Sequence, residues 1–201
     1  MKITLLVLYL ILTVNLAAQT NGESRTLFGK GNLHLGYFLS PLCQAGEIAG
    51  STALIPGVNA GVVINDKFYL GLVYKYIATE NTPTGELDNL YLDQRWGGIR
   101  WEYSINPGKI VHQNFPIEAG FSHVELDLKD AYENHAMAIP TNDASFGYLE
   151  PGIALEVNMI KYVKLNMSVC YRLVSEIDYR NLTRKDLAGI NFAISFKIGL
   201  F

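Results

Sequence analysis

The stretch Val163-Lys164-Leu165-Asn166-Met167-Ser168-Val169-Cys170-Tyr171-Arg172-Leu173 carries an apolar or aromatic residue at every odd position and a polar one at nearly every even position. Successive side chains of a strand point to opposite faces, so this run sorts into one greasy and one wet face only when extended. Ile190-Asn191-Phe192-Ala193-Ile194-Ser195-Phe196-Lys197-Ile198-Gly199-Leu200 repeats the pattern with even positions apolar. Ile99-Arg100-Trp101-Glu102-Tyr103-Ser104-Ile105 and Ile153-Ala154-Leu155-Glu156-Val157-Asn158 repeat it with odd positions apolar.

Extending this reading outward predicts eight strands, near 30–40, 51–64, 67–79, 94–105, 114–127, 145–158, 162–175 and 187–200. Asn65-Asp66 is a two-residue hairpin signal between the second and third. Asn106-Pro107-Gly108 joins the fourth and fifth, and Met159-Ile160-Lys161 the sixth and seventh. The other four links are long and polar, near 41–50, 80–93, 128–144 and 176–186. Short and long links thus alternate along the whole chain, as in an up-and-down antiparallel meander. Tilted strands of about 9–11 residues are what a bilayer requires.

Composition supports the same class. The 201 residues are 49% hydrophobic and 17% charged, with a net charge of −3. That hydrophobicity excludes a disordered chain. Sixteen basic against nineteen acidic residues leave no surplus for nucleic-acid phosphates. Met1-Lys2, the apolar run 3–16 and Ala17-Ala18-Gln19 follow the order of a secretory signal peptide cleaved after Ala18. The expected organisation is therefore a signal peptide over 1–18, a short segment over 19–26 and a barrel over 27–201. Cys43 and Cys170 are expected to stay as unpaired thiols, and no paired Cys/His spacing suggests zinc.

The polar face distinguishes a membrane barrel from a soluble carrier. It carries Lys75, Arg100, Glu102, Glu118, Glu150, Glu156, Lys164, Arg172 and Lys197 in mid-strand, with Gly71, Gly98, Gly120, Gly152, Ala154, Ser168 and Ser195 among them. A lipocalin-like interior would be apolar and its exterior wet. A narrow membrane barrel turns its wet face inward, where small residues fit and opposite charges can pair. The nine ionisable residues are thus expected to form an ion-pair network plugging the lumen. Tyr74, Tyr76, Ile99, Trp101, Tyr103, Phe115, Phe121, Val157, Val169, Tyr171, Phe192, Phe196 and Ile198 would face lipid. Tyr37, Phe38, Phe68, Tyr69, Trp96, Tyr148 and Tyr162, near strand ends, would form interfacial girdles. Phe201 ends the chain as outer-membrane assembly signals do, yet falls on the parity opposite to Leu200. A bulge at Gly199 is one way to restore it.

In architecture the chain resembles small OmpA/OmpX-like outer-membrane barrels and, more narrowly, uncharacterised barrels of Bacteroidetes-type bacteria. The segments 61–71 (GVVINDKFYLG), 150–158 (EPGIALEVN), 171–175 (YRLVS) and 196–201 (FKIGLF) carry the resemblance. It implies fold and location and transfers no catalytic residue.

Candidate chemistry is sparse. Ser122 and His123 are adjacent on one strand and so point to opposite faces, unable to share a proton. His34, His112 and His135 are scattered, and read as solvated or packed. Gly29-Lys30-Gly31 lacks the spacing of a phosphate loop. Glu80, Glu86, Asp88 and Asp93, and then Asp127, Asp130, Glu133 and Asp143, make acidic loops without calcium-loop spacing. The expectation is an all-β, eight-stranded antiparallel up-and-down transmembrane β-barrel with no catalytic, cofactor or metal site. Its role would be structural, envelope-interaction or surface-recognition, with outer-membrane lipid and lipopolysaccharide as surroundings and an extracellular partner reached through the long loops. The alternatives are a small diffusion channel and a lipid-modifying enzyme.

Overall fold

The computed structural model describes residues 33–82, 90–128, 143–177, 179 and 182–201. Its elements are β1 (Leu35–Ile48), β2 (Ser51–Ile64), β3 (Phe68–Tyr76), β4 (Leu90–Ile105), β5 (Val111–Leu128), β6 (Ala144–Ile160), β7 (Val163–Val174), the single-turn α1 (Arg184–Leu187) and β8 (Gly189–Leu200). Every strand pairs antiparallel with its sequence neighbours, and β8 closes on β1 to complete a barrel. The expected signal peptide, the segment 19–26, Gly29-Lys30-Gly31 and His135 lie outside the described residues. So do Glu86, Asp88, Asp130 and Glu133.

The first strand corrects the expected alternation of links. The predicted strand 30–40 and loop 41–50 are replaced by one β1 that runs on through Pro41 to Ile48. It pairs with β2 without interruption from Leu35↔Ile64 to Ile48↔Ser51 and turns at Ala49-Gly50, both at positive φ. The proline does not break the strand because its missing N–H faces β8. There the ladder loses Ser40 and Pro41, while Leu39↔Ile198 and Leu42↔Ser195 keep one register. Pro116 and Pro151 are tolerated in the same way, each removing two pairs from one ladder without a register shift. Three long links remain, 77–89, 129–143 and 175–188, and the strand ends they join all lie at one end of the barrel, called here the loop end. The opposite, turn end carries tight connections. Asn65 and Asp66, at φ 52° and 59°, form the expected hairpin turn between β2 and β3.

The barrel is inside-out relative to a soluble one. Leu72, Trp101, Phe121, Ile153 and Phe192 are exposed on the outer wall, while Lys75, Glu118, Arg172 and Lys197 are buried within. Gly98 and Gly120 face each other across β4 and β5. A Cβ on Gly98 would meet the Ala119 carbonyl and lie 2.9 Å from the Tyr148 hydroxyl, so glycine there makes room for an inward phenol.

Two apolar clusters close the ends of the interior. At the loop end Ile48, Ile55, Leu92, Trp96, Val124, Phe146 and Val174 pack together, and Tyr179, Leu182 and Leu187 of the 175–188 link are buried against them. The Asp186 carbonyl accepts a hydrogen bond of 2.8 Å from Ala49 N, tying this cap to the β1–β2 turn. At the turn end Phe38, Val63 and Tyr69 cluster, with Phe201 packed against them. No bulge occurs at Gly199: Phe38↔Gly199 and Tyr37↔Leu200 stay in register, and Phe201 takes the inward parity.

Candidate functional site

The interior between these clusters is filled by charge, and strand register determines how the charges meet. Arg100 on β4 sits directly opposite Glu118 on β5, an attractive cross-strand pair. Glu118 in turn sits opposite Glu150 on β6, and Lys164 on β7 opposite Lys197 on β8. Those two like-charge pairs would be repulsive on their own. Each is clamped by an opposite charge from elsewhere on the wall.

Toward the loop end the clamp is Lys75. Its Nζ lies 2.6 Å from Glu118 Oε1 and 2.5 Å from Glu150 Oε2. Glu150 Oε1 also accepts from Arg172 Nε at 2.9 Å, Gln44 Nε2 at 3.0 Å and Asn191 Nδ2 at 3.2 Å. Tyr148 donates to Glu118 Oε1 at 2.9 Å, and the Arg172 guanidinium lies 4.8 Å from the Trp96 ring. Toward the turn end the clamp is Glu156. It accepts from Lys197 Nζ at 2.5 Å and Asn114 Nδ2 at 2.9 Å, and lies 3.5 Å from Lys164 Nζ and 3.1 Å from His112 Nε2. Lys197 Nζ also reaches Glu102 Oε2 at 2.5 Å. Lys164 donates to the Tyr69 hydroxyl at 2.8 Å and lies 4.1 Å from the Phe201 ring.

Arg100 joins the two halves, donating to Glu102 at 2.8 Å and to Glu118 at 3.4 Å. All nine residues singled out from the sequence therefore lie in one connected interior cluster. The donors and acceptors that complete it, Gln44, Tyr69, His112, Asn114, Tyr148, Asn166 and Asn191, were not singled out for that role. Parity would have found several: Tyr69 shares its face with Lys75, and Asn191 with Lys197. The same parity corrects the girdles. Phe38, Tyr69, Trp96 and Tyr148 are buried inside, while Tyr37 and Tyr162 are exposed outside. Val157 is only partly exposed, but the other residues expected to face lipid are exposed outward.

Elsewhere the chemistry is local. Ser122 points inward, donating to the Arg95 carbonyl at 3.0 Å, while His123 points outward and meets Ser145 Oγ at 3.2 Å across the strands. Cys43 and Cys170 are free thiols on opposite faces of the wall. Asp93 pairs with Arg95 at 2.6 Å. Among the described residues no group of three or more His, Cys, Asp or Glu side chains converges to hold a metal.

No protein-family model and no curated protein matches the chain. Solved structures do. Neisserial surface protein A aligns over 85% of this chain and 99% of its own, with a TM-score of 0.58 at 11% identity. The N-terminal β-barrel domain of Pseudomonas aeruginosa OprF aligns over 82% of this chain and 97% of its own, with a TM-score of 0.53 at 8% identity. Identities this low speak to the fold alone. The chain is an eight-stranded antiparallel closed β-barrel resembling small outer-membrane barrel proteins.

Proposed function

We propose that the chain is an integral outer-membrane barrel that acts through its surface and not through its bore, in a structural, envelope-interaction or surface-recognition role. The observation that carries this reading is the pairing of an apolar outer wall with an interior cross-braced by buried ion pairs. An exterior of Leu72, Ile153 and Phe192 is unsuited to water and suited to acyl chains, and side chains fill the bore of an eight-stranded barrel. In this placement the turn end faces the periplasm. The loop end then faces outside, offering 77–89, 129–143 and 175–188 to lipopolysaccharide or an extracellular partner. The narrower resemblance to Bacteroidetes-type barrels rests on the four sequence segments quoted above. The reading assigns no enzyme activity, no cofactor and no nucleic-acid partner.

Membrane fractionation tests it. The expected result is recovery in the outer-membrane fraction, release only by detergent, and a folded band that shifts on heating in SDS. Recovery in the soluble periplasmic fraction would overturn it.

A further inference from the structure

The outer wall is not uniformly convex. A groove of about 710 Å³ crosses five adjacent strands, β5, β6, β7, β8 and β1. Its floor follows one continuous row of paired residues, Gln113↔Leu155, Leu155↔Met167, Met167↔Ile194 and Ile194↔Cys43. Four interstrand steps make it about 19 Å long. With strands tilted by roughly 40°, the row climbs about 12 Å along the barrel axis, from the turn end of β5 toward the loop end of β1. That rise is close to one leaflet, since the whole hydrocarbon core is about 30 Å thick. Phe115 and Phe192 stand at its sides, and the small Ala45 keeps its upper end open.

The lower end has a different chemistry. Gln113 is exposed on the outer wall, the one amide or charged side chain among the described outward-facing strand residues of the turn-end half. An amide in that position is costly in hydrocarbon unless it finds a partner. Just below it lie the turns 106–110 and 161–162, which hold Lys109 and Lys161, both exposed, and no acid. Asn158 Nδ2, near the end of β6, braces the 106–110 turn through the Pro107 carbonyl at 2.8 Å and the Lys109 carbonyl at 2.7 Å. Asp66, on a neighbouring turn, is paired with His34 at 3.4 Å.

We propose that this groove retains one glycerophospholipid of the periplasmic leaflet, an acyl chain along the Gln113–Cys43 row and its ester and phosphate at Gln113, Lys109 and Lys161. The inference rests on the outer-membrane reading above. Apolar walls match the chain, the amide matches an ester carbonyl, and two cations match a phosphate.

Native mass spectrometry of the folded protein, extracted from outer membranes in mild detergent, tests it. One phospholipid per chain is expected to survive extraction. Ala45→Phe fills the upper end and should lower the bound fraction by about tenfold. Leu72→Phe, on the opposite wall, should leave it unchanged. Gln113→Leu, an apolar residue on an apolar wall that does not burden folding, should also lower it several-fold. Extraction without a stoichiometric phospholipid would overturn the proposal, as would retention that Gln113→Leu does not change, or a groove occupied by a second copy of the chain. Absence from the outer-membrane fraction would instead overturn the reading on which it rests.

Discussion

Lys75→Met is the most informative single substitution. It removes the cation that lies 2.6 Å from Glu118 and 2.5 Å from Glu150, two carboxylates that register places opposite each other. The thioether keeps most of the volume, so the change is one of charge. Removing one partner from a buried ion pair costs about 3–5 kcal/mol, because the other charge is left without compensation. Here Glu150 keeps Arg172, Gln44 and Asn191, and Glu118 keeps Arg100 and Tyr148. The expected loss is therefore at the lower end, about 3 kcal/mol, or roughly 150-fold in the unfolding equilibrium. Equilibrium urea unfolding in lipid vesicles, followed by tryptophan fluorescence and the heat-dependent gel shift, measures it. The double variant Lys75→Met/Glu118→Gln should recover a substantial part of the loss, since it removes the uncompensated like-charge pair. The stability of the unmodified protein should change little with salt, because buried pairs are poorly screened. A loss below about 1 kcal/mol would refute the reasoning, for that is the range of solvated pairs.

Three further outcomes follow from the wall, the cap and the thiols. Leu187→Ala removes a fully buried anchor of the 175–188 link and should cost about 2–5 kcal/mol in the same unfolding assay, with faster proteolysis within that link. Gly98→Val sets a branched side chain against the Ala119 carbonyl and the Tyr148 hydroxyl, and should sharply reduce the heat-shiftable folded fraction on refolding. In the folded, membrane-inserted chain neither thiol should react with a water-soluble maleimide, because Cys43 lies on the lipid-facing wall and Cys170 is enclosed in the interior, whereas both should react in the unfolded chain. Rapid labelling of either thiol in the inserted protein would contradict the inside-out assignment.

Much of this fold was legible because a period of two states both the element and its faces. The alternation in 163–173 and 190–200 identified β7 and β8 and placed Lys164, Arg172 and Lys197 on the wet side. What alternation could not supply was register. Nothing local says that Glu118 meets Glu150, or that Lys75, on β3, reaches across the lumen to separate them. The link expected over 41–50 is strand as far as Ile48 for a related reason: Pro41 is tolerated because its missing N–H faces one particular neighbour, and nothing local says which. The loop-end cap was invisible because Tyr179, Leu182 and Leu187 follow no strand period and are anchored by residues brought from six different strands. Position along a strand suggests interfacial girdles at Phe38, Tyr69, Trp96 and Tyr148, but parity decides the face. Trp96 shares its face with Arg100 and Glu102, and that placed it inside.

Planar-bilayer recording on the refolded protein, with insertion verified by its heat-dependent gel shift, tests most directly the claim that the interior is closed. The cap, the ion-pair cluster and the Tyr69–Phe201 cluster lie in series along the bore, so inserted protein is predicted to give a flat baseline with no reproducible steps. Reproducible single-channel steps from the unmodified protein would contradict a plugged barrel and establish a conducting one.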